Sequence, residues 1–238
     1  MRHVESAASL SGRVDQLGGA PRLRRTRAWS RSLDPAEEAM IRAVDVLIAL
    51  AALIAIAPLM LVIAGLIKSQ DGGPAMFAHG RIGRGGRTFP CLKFRSMVTD
   101  AEARLQALLA QDEAARREWE ADHKLRNDPR ITRLGLFLRK SSLDELPQLL
   151  NVLRGEMSIV GPRPIVQGEV SRYGRWYGHY CAVRPGITGL WQVSGRNDVS
   201  YRRRVACDVM YARSKSLAVN VRIIAGTIPA VLRADGSY

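Results

Sequence analysis

The chain has 238 residues and a formal net charge of +14, with 36 Lys and Arg against 22 Asp and Glu. Apolar residues make up 47%, enough for a packed core, which excludes a wholly disordered chain. The charge indicates an anionic partner such as nucleic acid, anionic lipid or a phosphorylated small molecule. The three cysteines are scattered and odd in number, which argues against a disulfide framework or a zinc site and favours a reducing compartment.

Residues 1–38 are predicted to form a basic, disordered tail. Its first 33 residues carry seven Arg, no apolar periodicity and no hydrophobic stretch of the kind found in secretory signals. One interpretation is a solvated tail. The other is attraction to anionic lipid headgroups, worth about 1 kcal/mol per basic residue near a membrane surface.

An apolar run follows over residues 46–67, which are 22 residues without a charge. As a helix this run would be about 33 Å long, enough to cross the hydrocarbon core of a bilayer. A buried helix of a soluble protein is the alternative, but the run is unusually long for one. We therefore predict a membrane helix over residues 39–70.

Two features favour a re-entrant helix over a spanning one. Pro58 lies in the middle of the run, where a proline removes a backbone hydrogen bond and bends or breaks a helix. Both flanks are basic, with Arg42 before the run and Lys68 after it, so a spanning helix would export one of them against the positive-inside tendency. A helix that bends at Pro58 and returns keeps both chain ends in the cytoplasm, and a spanning helix stays the alternative.

The remainder, residues 71–238, is predicted to be a compact, mostly helical domain of the α+β class. Residues 84–87 supply a glycine-rich turn, and residues 88–94 supply the returning strand of a β-hairpin. This hairpin is expected to be the main element of a small sheet.

Two further helical regions are expected. A polar helix with a leucine stripe is predicted from residue 100 to about residue 124. Residues 201–232 are typical of one or two helices broken near Pro229.

Residues 140–164 read KSSLDELPQLLNVLRGEMSIVGPRP and contain two adjacent acids, Asp144 and Glu145. Ser142 and Glu145 fit a capping box at the start of a helix. Alternatively, Asp144 is the cap itself, which places Pro147 at the third helical position, where no intrahelical N–H bond is lost. Both interpretations place the acids at a helix N-terminus.

The same position suits chemistry on a phosphate. A helix N-terminus carries partial positive charge and free N–H groups, which bind phosphate and keep a carboxylate ionised. An ionised Asp144 can attack phosphorus and form an acyl-phosphate. Because adjacent helical residues point about 100° apart, Glu145 is free to hold a divalent cation such as Mg²⁺ through oxygen.

Basic residues that would neutralise the phosphate charge lie near the acids in sequence or can be brought there by the fold. Each taken singly is more often a solvated or salt-bridged surface residue. The candidates are Lys93, Arg95, Arg139, Lys140 and Arg163.

The chain contains, in this order, the motifs KFRSM, ITRLGLFLRKSSLDELPQLLNVLRGEMSIVGPRP and RPGITGLWQVSGR. These motifs resemble those of bacterial sugar transferases, also called monotopic phosphoglycosyl transferases, and the resemblance runs over residues 42–238. It implies an enzyme of the bacterial inner membrane with its catalytic domain on the cytoplasmic face. Such enzymes transfer a sugar-1-phosphate from a UDP-sugar, here a hexose such as galactose or glucose, to undecaprenyl phosphate. They release UMP and begin the assembly of exopolysaccharide, capsule or a related glycan.

The resemblance also implies roles for individual residues. Asp144 matches the nucleophile that forms a covalent phosphosugar intermediate, and Glu145 matches its partner, which is associated with Mg²⁺. Lys93, Arg139 and Arg163 match positions that hold phosphate or carboxylate in place. The apolar run matches a re-entrant helix with a proline at its bend, and the implied kinetics are ping-pong.

The chain departs from the family pattern away from the acidic pair. Ala57 precedes the proline where Ser is typical, and His79 stands where Gln is common. Near the C-terminus, Lys215 and Asn220 stand near the positions of a usual Trp and Asp. The chain resembles the small, minimal form of the family.

Two rival hypotheses are of other classes. A nucleic-acid-binding protein would explain the charge but not the apolar run, and no nucleic-acid motif accompanies the charge, so we expect no nucleic-acid partner. A non-catalytic membrane scaffold would have no need of Asp144, Glu145 and Arg163 together. The expected partners are a UDP-sugar, undecaprenyl phosphate and membrane lipids. The sequence does not distinguish the sugar and leaves the oligomeric state open, a homo-oligomer included.

Overall fold

The computed structural model describes residues 31–122, 125–194 and 199–232, so most of the predicted basic tail lies outside the described residues. This part of the chain is mostly helical, as expected, and it contains two small sheets. The helices are α1 (Pro35–Asp71), α2 (Ala101–Gln111), α3 (Glu113–Asp122), α4 (Arg133–Lys140), α5 (Gln148–Arg154), α6 (Val170–Tyr173), α7 (Tyr177–Ala182), α8 (Leu190–Val193), α9 (Tyr201–Ser214) and α10 (Leu217–Leu232). The strands are β1 (Met76–Ile82), β2 (Thr88–Phe94), β3 (Ser158–Val160) and β4 (Gly186–Thr188). The two sheets are the pair β1–β2 and a second pair, β3–β4, that was not predicted.

The apolar run forms one long helix, α1. Asp34 caps its start by accepting a hydrogen bond from the Ala36 N–H at 3.5 Å, and Gly72 ends it in the left-handed conformation. The helix is long and apolar enough to cross a membrane, and only 11% of its most apolar window is buried. It continues through Pro58 as a single helix, so the predicted bend is not seen. A proline removes one backbone hydrogen bond, and the turns on either side keep theirs.

The predicted β-hairpin is confirmed. Strands β1 and β2 pair antiparallel along their whole length, with Phe77 opposite Lys93. The chain reverses through a 3-10 turn at Arg84–Gly86, where Gly85 has a φ of 74° that residues with a side chain rarely adopt. Because paired residues point to the same side of a hairpin, this register decides which β1 side chains accompany Lys93.

The single helix predicted between residues 100 and 124 is in fact two helices, α2 and α3. Between them, Asp112 has an extended backbone, and its carboxylate accepts hydrogen bonds from the N–H groups of Ala114 and Ala115 at 2.8 and 3.0 Å. The prediction was wrong because an Asp can satisfy the free N–H groups of a new helix, which competes with continuing the old one.

The break predicted near Pro229 lies earlier in the chain. Helices α9 and α10 separate at Lys215 and Ser216, and Pro229 lies within α10. The Ser216 hydroxyl accepts a hydrogen bond from the Val219 N–H at 3.2 Å, as side chains that begin helices do. Lys215 and Asn220, two of the departures from the family pattern, are both buried at this junction.

Three apolar clusters form the core, and α1 contributes to two of them. Ala49 packs with α5, β3, α9 and α10 in the largest cluster. Closer to the end of the helix, Ile63 and Ile67 pack against Phe94 of β2 and Leu138 of α4. The helix therefore contacts the domain towards both of its ends, and it fixes β2 and α4 against each other.

Candidate active site

The backbone around Asp144 and Glu145 makes a turn before the next helix. Ser142 has a left-handed conformation with a φ of 57°, and Leu143–Glu145 forms a 3-10 turn. Ser142 makes no capping hydrogen bond, and Pro147 occupies the N-cap position of α5, so both capping predictions were wrong. The two carboxylates bind a cation instead, because a charge-assisted hydrogen bond is stronger than one from a neutral backbone N–H.

Lys93, near the end of β2, supplies that cation. Its Nζ donates to Glu145 Oε1 at 2.7 Å and to Asp144 Oδ2 at 3.4 Å. Arg163 donates to the same Glu145 oxygen at 3.0 Å. Among the described residues, Glu145 thus has two cationic hydrogen-bond partners, and Asp144 has one long hydrogen bond from a shared Lys. The structure brings these four predicted site residues together.

The two carboxylates differ in their electrostatic environment. Burial raises the pKa of Asp144 above its ordinary value, and Lys93 offsets only part of this effect. Burial also disfavours the charged form of Glu145, but Arg163 and Lys93 outweigh it and lower its pKa to about 2. A more basic carboxylate is the better nucleophile, and a firmly ionised one is the better cation ligand. The environment therefore suits Asp144 to attack and Glu145 to bind cations.

Arg139 reaches the site from α4. This helix lies so close to the end of β2 that a Cβ on Gly135 would lie 1.9 Å from the Ser96 carbonyl oxygen, so only glycine fits. The approach allows Arg139 Nε to donate to the Ser96 hydroxyl at 2.9 Å. Burial lowers the pKa of Arg139 and the charge of Asp144 opposes that shift, so the two side chains interact electrostatically.

Arg163 follows the turn after β3, where the backbone packs tightly against β4. Gly161 donates to the Thr188 carbonyl oxygen at 2.9 Å, and a Cβ on Gly161 would lie 2.3 Å from the Arg184 carbonyl oxygen. Only glycine fits at this position. The close packing fixes the segment that carries Arg163, whose guanidinium reaches Glu145.

Arg95, also predicted to bind phosphate, lies elsewhere. Its guanidinium forms two hydrogen bonds with the Asp71 carboxylate, and its Nε donates to the Pro74 carbonyl oxygen at 2.8 Å. It therefore joins the end of α1 to the end of β2 and is not among the side chains gathered around Asp144. Pro58 is exposed in the middle of α1 and does not line the site.

A cleft beside Glu145 contains residues that the sequence analysis did not assign to the site. Its lining residues are Arg81, Cys91, Lys93, Glu145, Gln148, Arg163, Pro164, Gly186 and Ile187. Arg81 adds a further cation and donates to the Pro164 carbonyl oxygen at 3.1 Å. The hairpin register places Arg81 on the same face as Lys93, so counting alternate residues would have found it. Gln148 lies three residues after Glu145, a helical spacing that would also have found it.

Glu145 is the predicted ligand of Mg²⁺, and Asp144 is a second carboxylate beside it. No third His, Cys, Asp or Glu joins them to form a metal-binding group within the described residues. Mg²⁺ usually takes one or two carboxylates and completes its coordination with water and phosphate oxygens, so this donor pair fits the ion. The metal itself stays a prediction.

Two carboxylates with different electrostatic environments lie beside a cleft lined by cations, in a domain with a long apolar helix, and this combination indicates an enzyme that handles phosphate at a membrane. Comparison with known families narrows this class. The sequence profile of the bacterial sugar transferase family matches residues 36–234. The chain belongs to this family and is a sugar-phosphate transferase.

Relatives of this chain differ in length. The exopolysaccharide production protein ExoY of Sinorhizobium fredii is 53% identical over 197 residues, which are 83% of this chain and 87% of the relative. The undecaprenyl-phosphate galactose phosphotransferase of Salmonella typhimurium is 52% identical over 83% of this chain but only 41% of its own length. The UDP-glucose:undecaprenyl-phosphate glucose-1-phosphate transferase of Caulobacter vibrioides is 38% identical over 83% of this chain and 71% of its own length.

Proposed function

We propose that this chain transfers a sugar-1-phosphate from a UDP-hexose, galactose or glucose, to undecaprenyl phosphate and releases UMP. The observation that carries the proposal is the pair of unlike carboxylates, Asp144 and Glu145, which Lys93 binds at 3.4 and 2.7 Å beside a cleft lined by further cations. The names of two relatives, a galactose phosphotransferase and a glucose-1-phosphate transferase that act on undecaprenyl phosphate, support it.

Two displacements at one phosphorus account for the reaction. A carboxylate oxygen of Asp144 attacks the phosphorus that carries the sugar, the bond to the bridging oxygen breaks, and UMP leaves with the electron pair. An oxygen of undecaprenyl phosphate then attacks the same phosphorus, and the Asp144 carboxylate leaves. Both attacking groups are anions, so neither step requires the removal of a proton.

In this scheme the cations of the cleft bind phosphate oxygens of the substrate. When Asp144 forms the acyl-phosphate, its carboxylate loses its negative charge. Lys93 can then donate to a phosphate oxygen. Arg81 and Arg163 line the same cleft and add positive charge where the diphosphate would lie. When bound at Glu145, Mg²⁺ would neutralise further charge on the diphosphate.

The membrane arrangement that we propose is a re-entrant α1. Ile41 and Ile67 are both buried against the domain, although they lie about 39 Å apart along the helix. The hydrocarbon core of a bilayer is about 30 Å thick, so a domain on one side of the membrane could not cover both ends of a spanning helix. This geometry supports a helix with both flanks on the same side of the membrane as the catalytic domain, and the basic residues of both flanks favour the cytoplasmic side.

We place the reaction at the first membrane step of exopolysaccharide or related glycan assembly. Two exopolysaccharide production proteins, from Sinorhizobium fredii and Rhizobium meliloti, are 53% and 51% identical to this chain, and the match covers 87% of each. Their names and their similar length support this assignment over the other glycans that the family initiates.

The test uses the purified full-length protein with Mg²⁺, undecaprenyl phosphate and a panel of UDP-sugars. We expect UMP from UDP-galactose or UDP-glucose. The Asp144→Asn variant is expected to lose about a thousandfold or more of turnover, because an amide cannot attack phosphorus. Without the lipid acceptor, mass spectrometry of the wild type should find a sugar-phosphate adduct on Asp144.

The matched control is Asp100→Asn, the same change at an exposed acid that pairs with Arg104 outside the cleft. This control should retain wild-type turnover. No UMP from any sugar would overturn the proposed reaction. UMP release with near-normal turnover of Asp144→Asn would overturn only the role of Asp144.

A further inference from the structure

Gln148 is a buried residue that lines the cleft. It is only 3% exposed, and its amide makes no hydrogen bond to any described residue. The fully buried polar atoms that lack a partner do not include those of Gln148, so its amide is open to the cleft, where a ligand can supply the hydrogen bond that no described residue provides. Asn151, one turn further along α5, shows the ordinary case, because its amide makes three hydrogen bonds.

The amide of Gln148 belongs to the cleft. Gln148 lies three residues after Glu145, and both residues line the cleft. Among the described residues that line the cleft, it has the one uncharged side chain that both donates and accepts strong hydrogen bonds. The cations of the cleft match the charged oxygens of a phosphate. A neutral amide matches a hydroxyl group, which also donates and accepts.

The geometry of displacement at phosphorus indicates whether a hydroxyl of the sugar or of the uridine lies near Gln148. The attacking and leaving oxygens lie roughly in line, so UMP departs on the side away from Asp144. The sugar oxygen occupies an equatorial position and stays beside the nucleophile throughout the reaction. A side chain one helical turn from Asp144 therefore meets the sugar ring before it meets the uridine.

We propose that Gln148 donates to, or accepts from, one hydroxyl of the hexose ring, and so takes part in choosing which UDP-hexose the enzyme uses. This inference rests on the proposed sugar-phosphate transfer and deepens it. The sugar hydroxyl supplies the partner that the amide lacks in the free enzyme. A hexose that lacks this hydroxyl, or has it in the other orientation, leaves the amide unpaired and is rejected.

The experiment compares wild type and Gln148→Met with the best UDP-hexose and its four monodeoxy analogues, which lack the hydroxyl on carbon 2, 3, 4 or 6 of the sugar. For the wild type, one analogue is expected to lower kcat/KM about tenfold, the effect of one hydrogen bond. In Gln148→Met the kcat/KM for the parent sugar should fall by a similar factor. The kcat/KM for that one analogue should then equal the value for the parent sugar. The other analogues keep the same relative kcat/KM in both enzymes.

Folding is controlled in two ways. Because the amide makes no hydrogen bond to any described residue, Gln148→Met and a second apolar variant, Gln148→Leu, are expected to have the wild-type Tm or a higher one. Gln106→Met, the same change at an exposed glutamine of α2, should leave every ratio unchanged.

The outcomes separate the two proposals. If the wild type releases UMP but all four analogues have the same relative kcat/KM in the wild type and in the variants, the role of Gln148 is overturned and the transfer reaction stands. A clear loss of Tm in both apolar variants would assign Gln148 a structural role and would also overturn it. If the wild type releases UMP from no sugar, the transfer reaction fails and the inference fails with it.

Discussion

Lys93 and Arg95 are separated by one residue, and both were predicted to bind phosphate, yet the structure gives them different partners. Lys93 lies in the cleft, where one ammonium group is shared between Asp144 and Glu145 at 3.4 and 2.7 Å. Arg95 lies past the end of β2, where its guanidinium holds the Asp71 carboxylate through two hydrogen bonds.

The difference lies in how fully each cation is used by the protein. Arg95 presents a rigid fork of N–H donors. Besides the Asp71 carboxylate, these donors bind the carbonyl oxygens of Pro74, Met97 and Ile67. Lys93 is a point charge on a flexible stem with one short and one long hydrogen bond. A cation whose donors are exhausted by protein groups supports the fold. A cation that is shared can exchange a protein partner for a phosphate.

The largest effect expected from this comparison is an opposite response to the same substitution. Lys93→Met should lower the transferase kcat about a hundredfold, the usual effect of removing one charge-stabilising donor, with a small change in Tm. Arg95→Met should clearly lower Tm and leave more activity in the enzyme that stays folded. UMP release and thermal unfolding, measured on both variants, check this prediction.

Asp71→Asn is the matched control, because it removes the other half of the Arg95 pair. It should reproduce the Tm loss of Arg95→Met and leave kcat close to wild type. If Arg95→Met kept its Tm and lost activity as Lys93→Met does, the contrast between the two cations would be wrong.

Asn151 sharpens the comparison because it positions the strand that carries Lys93. Its side chain donates to the Pro90 carbonyl oxygen at 2.8 Å and accepts from the Leu92 N–H at 2.9 Å. These two groups face the same edge of β2, so the amide pairs with the strand as the backbone of a neighbouring strand would. A second donation, to Glu156 at 2.6 Å, orients the amide.

Asn151→Leu should therefore lower both stability and activity. We expect the free energy of unfolding to fall by about 3 kcal/mol, because the variant leaves buried groups of β2 without partners. The kcat should fall as well, because the strand no longer holds the Lys93 ammonium group in a fixed position beside the Asp144 carboxylate. Urea unfolding and UMP release measure the two effects. Gln148→Leu on the same helix is the control for stability, and an equal loss there would contradict the expected difference.

The sequence predicted the parts of the molecule that depend on local pattern. The apolar run, the hairpin at the Gly-rich turn and the gathering of Lys93 and Arg163 with the acidic pair were all predicted. The capping role of Ser142 was wrong because capping preference is a local signal, and a long-range partner, Lys93, binds the carboxylates more strongly. The break at Asp112 was missed because the same residue type is tolerated inside polar helices.

Other features depend on contacts between residues far apart in the sequence, which local spacing does not reveal. Arg95 and Lys93 lie in the same KFRSM motif, and the end of α1, which brings Asp71 to Arg95, gives Arg95 a different role. Arg81 joins the cleft through the hairpin register, which could have been counted once the turn was placed. Gln148 was within reach of helical spacing, but its lack of a partner can be seen only in three dimensions.

The pH profile of kcat/KM tests how the neighbours of Asp144 act on it. Burial raises the pKa of Asp144, Lys93 lowers it and Glu145 raises it. The nucleophile must be ionised, so activity is lost as pH falls through this pKa. Lys93→Met should therefore move the acid limb to higher pH, and Glu145→Gln should move it to lower pH. Profiles of residual activity from about pH 4 to about pH 8 measure both, and shifts in the same direction would contradict the assignment.

Asp208 is expected to give the smallest effect. It shows how burial changes a pKa when no cation among the described residues forms an ion pair with the carboxylate. Its carboxylate is buried and accepts a hydrogen bond from the Tyr173 hydroxyl at 2.6 Å, and burial raises its pKa from 3.8 to about 7. Between these values the folded protein keeps a proton that the unfolded chain has lost, so stability falls as pH rises from about 4 to about 7. Glu145, buried beside two cations, has its pKa moved the other way, to about 2.

Asp208→Asn should remove this pH dependence, because an amide does not ionise. The variant is expected to have a Tm near that of the wild type at about pH 4 and a Tm higher by a few degrees at about pH 8, where the wild type carries the buried charge. Thermal unfolding at both pH values measures the difference. A variant whose Tm stays below wild type by the same amount at both would show that the hydrogen bond to Tyr173, and not the buried charge, sets the contribution of Asp208. Burial without a bound cation would then no longer explain why this acid and Glu145 shift in opposite directions.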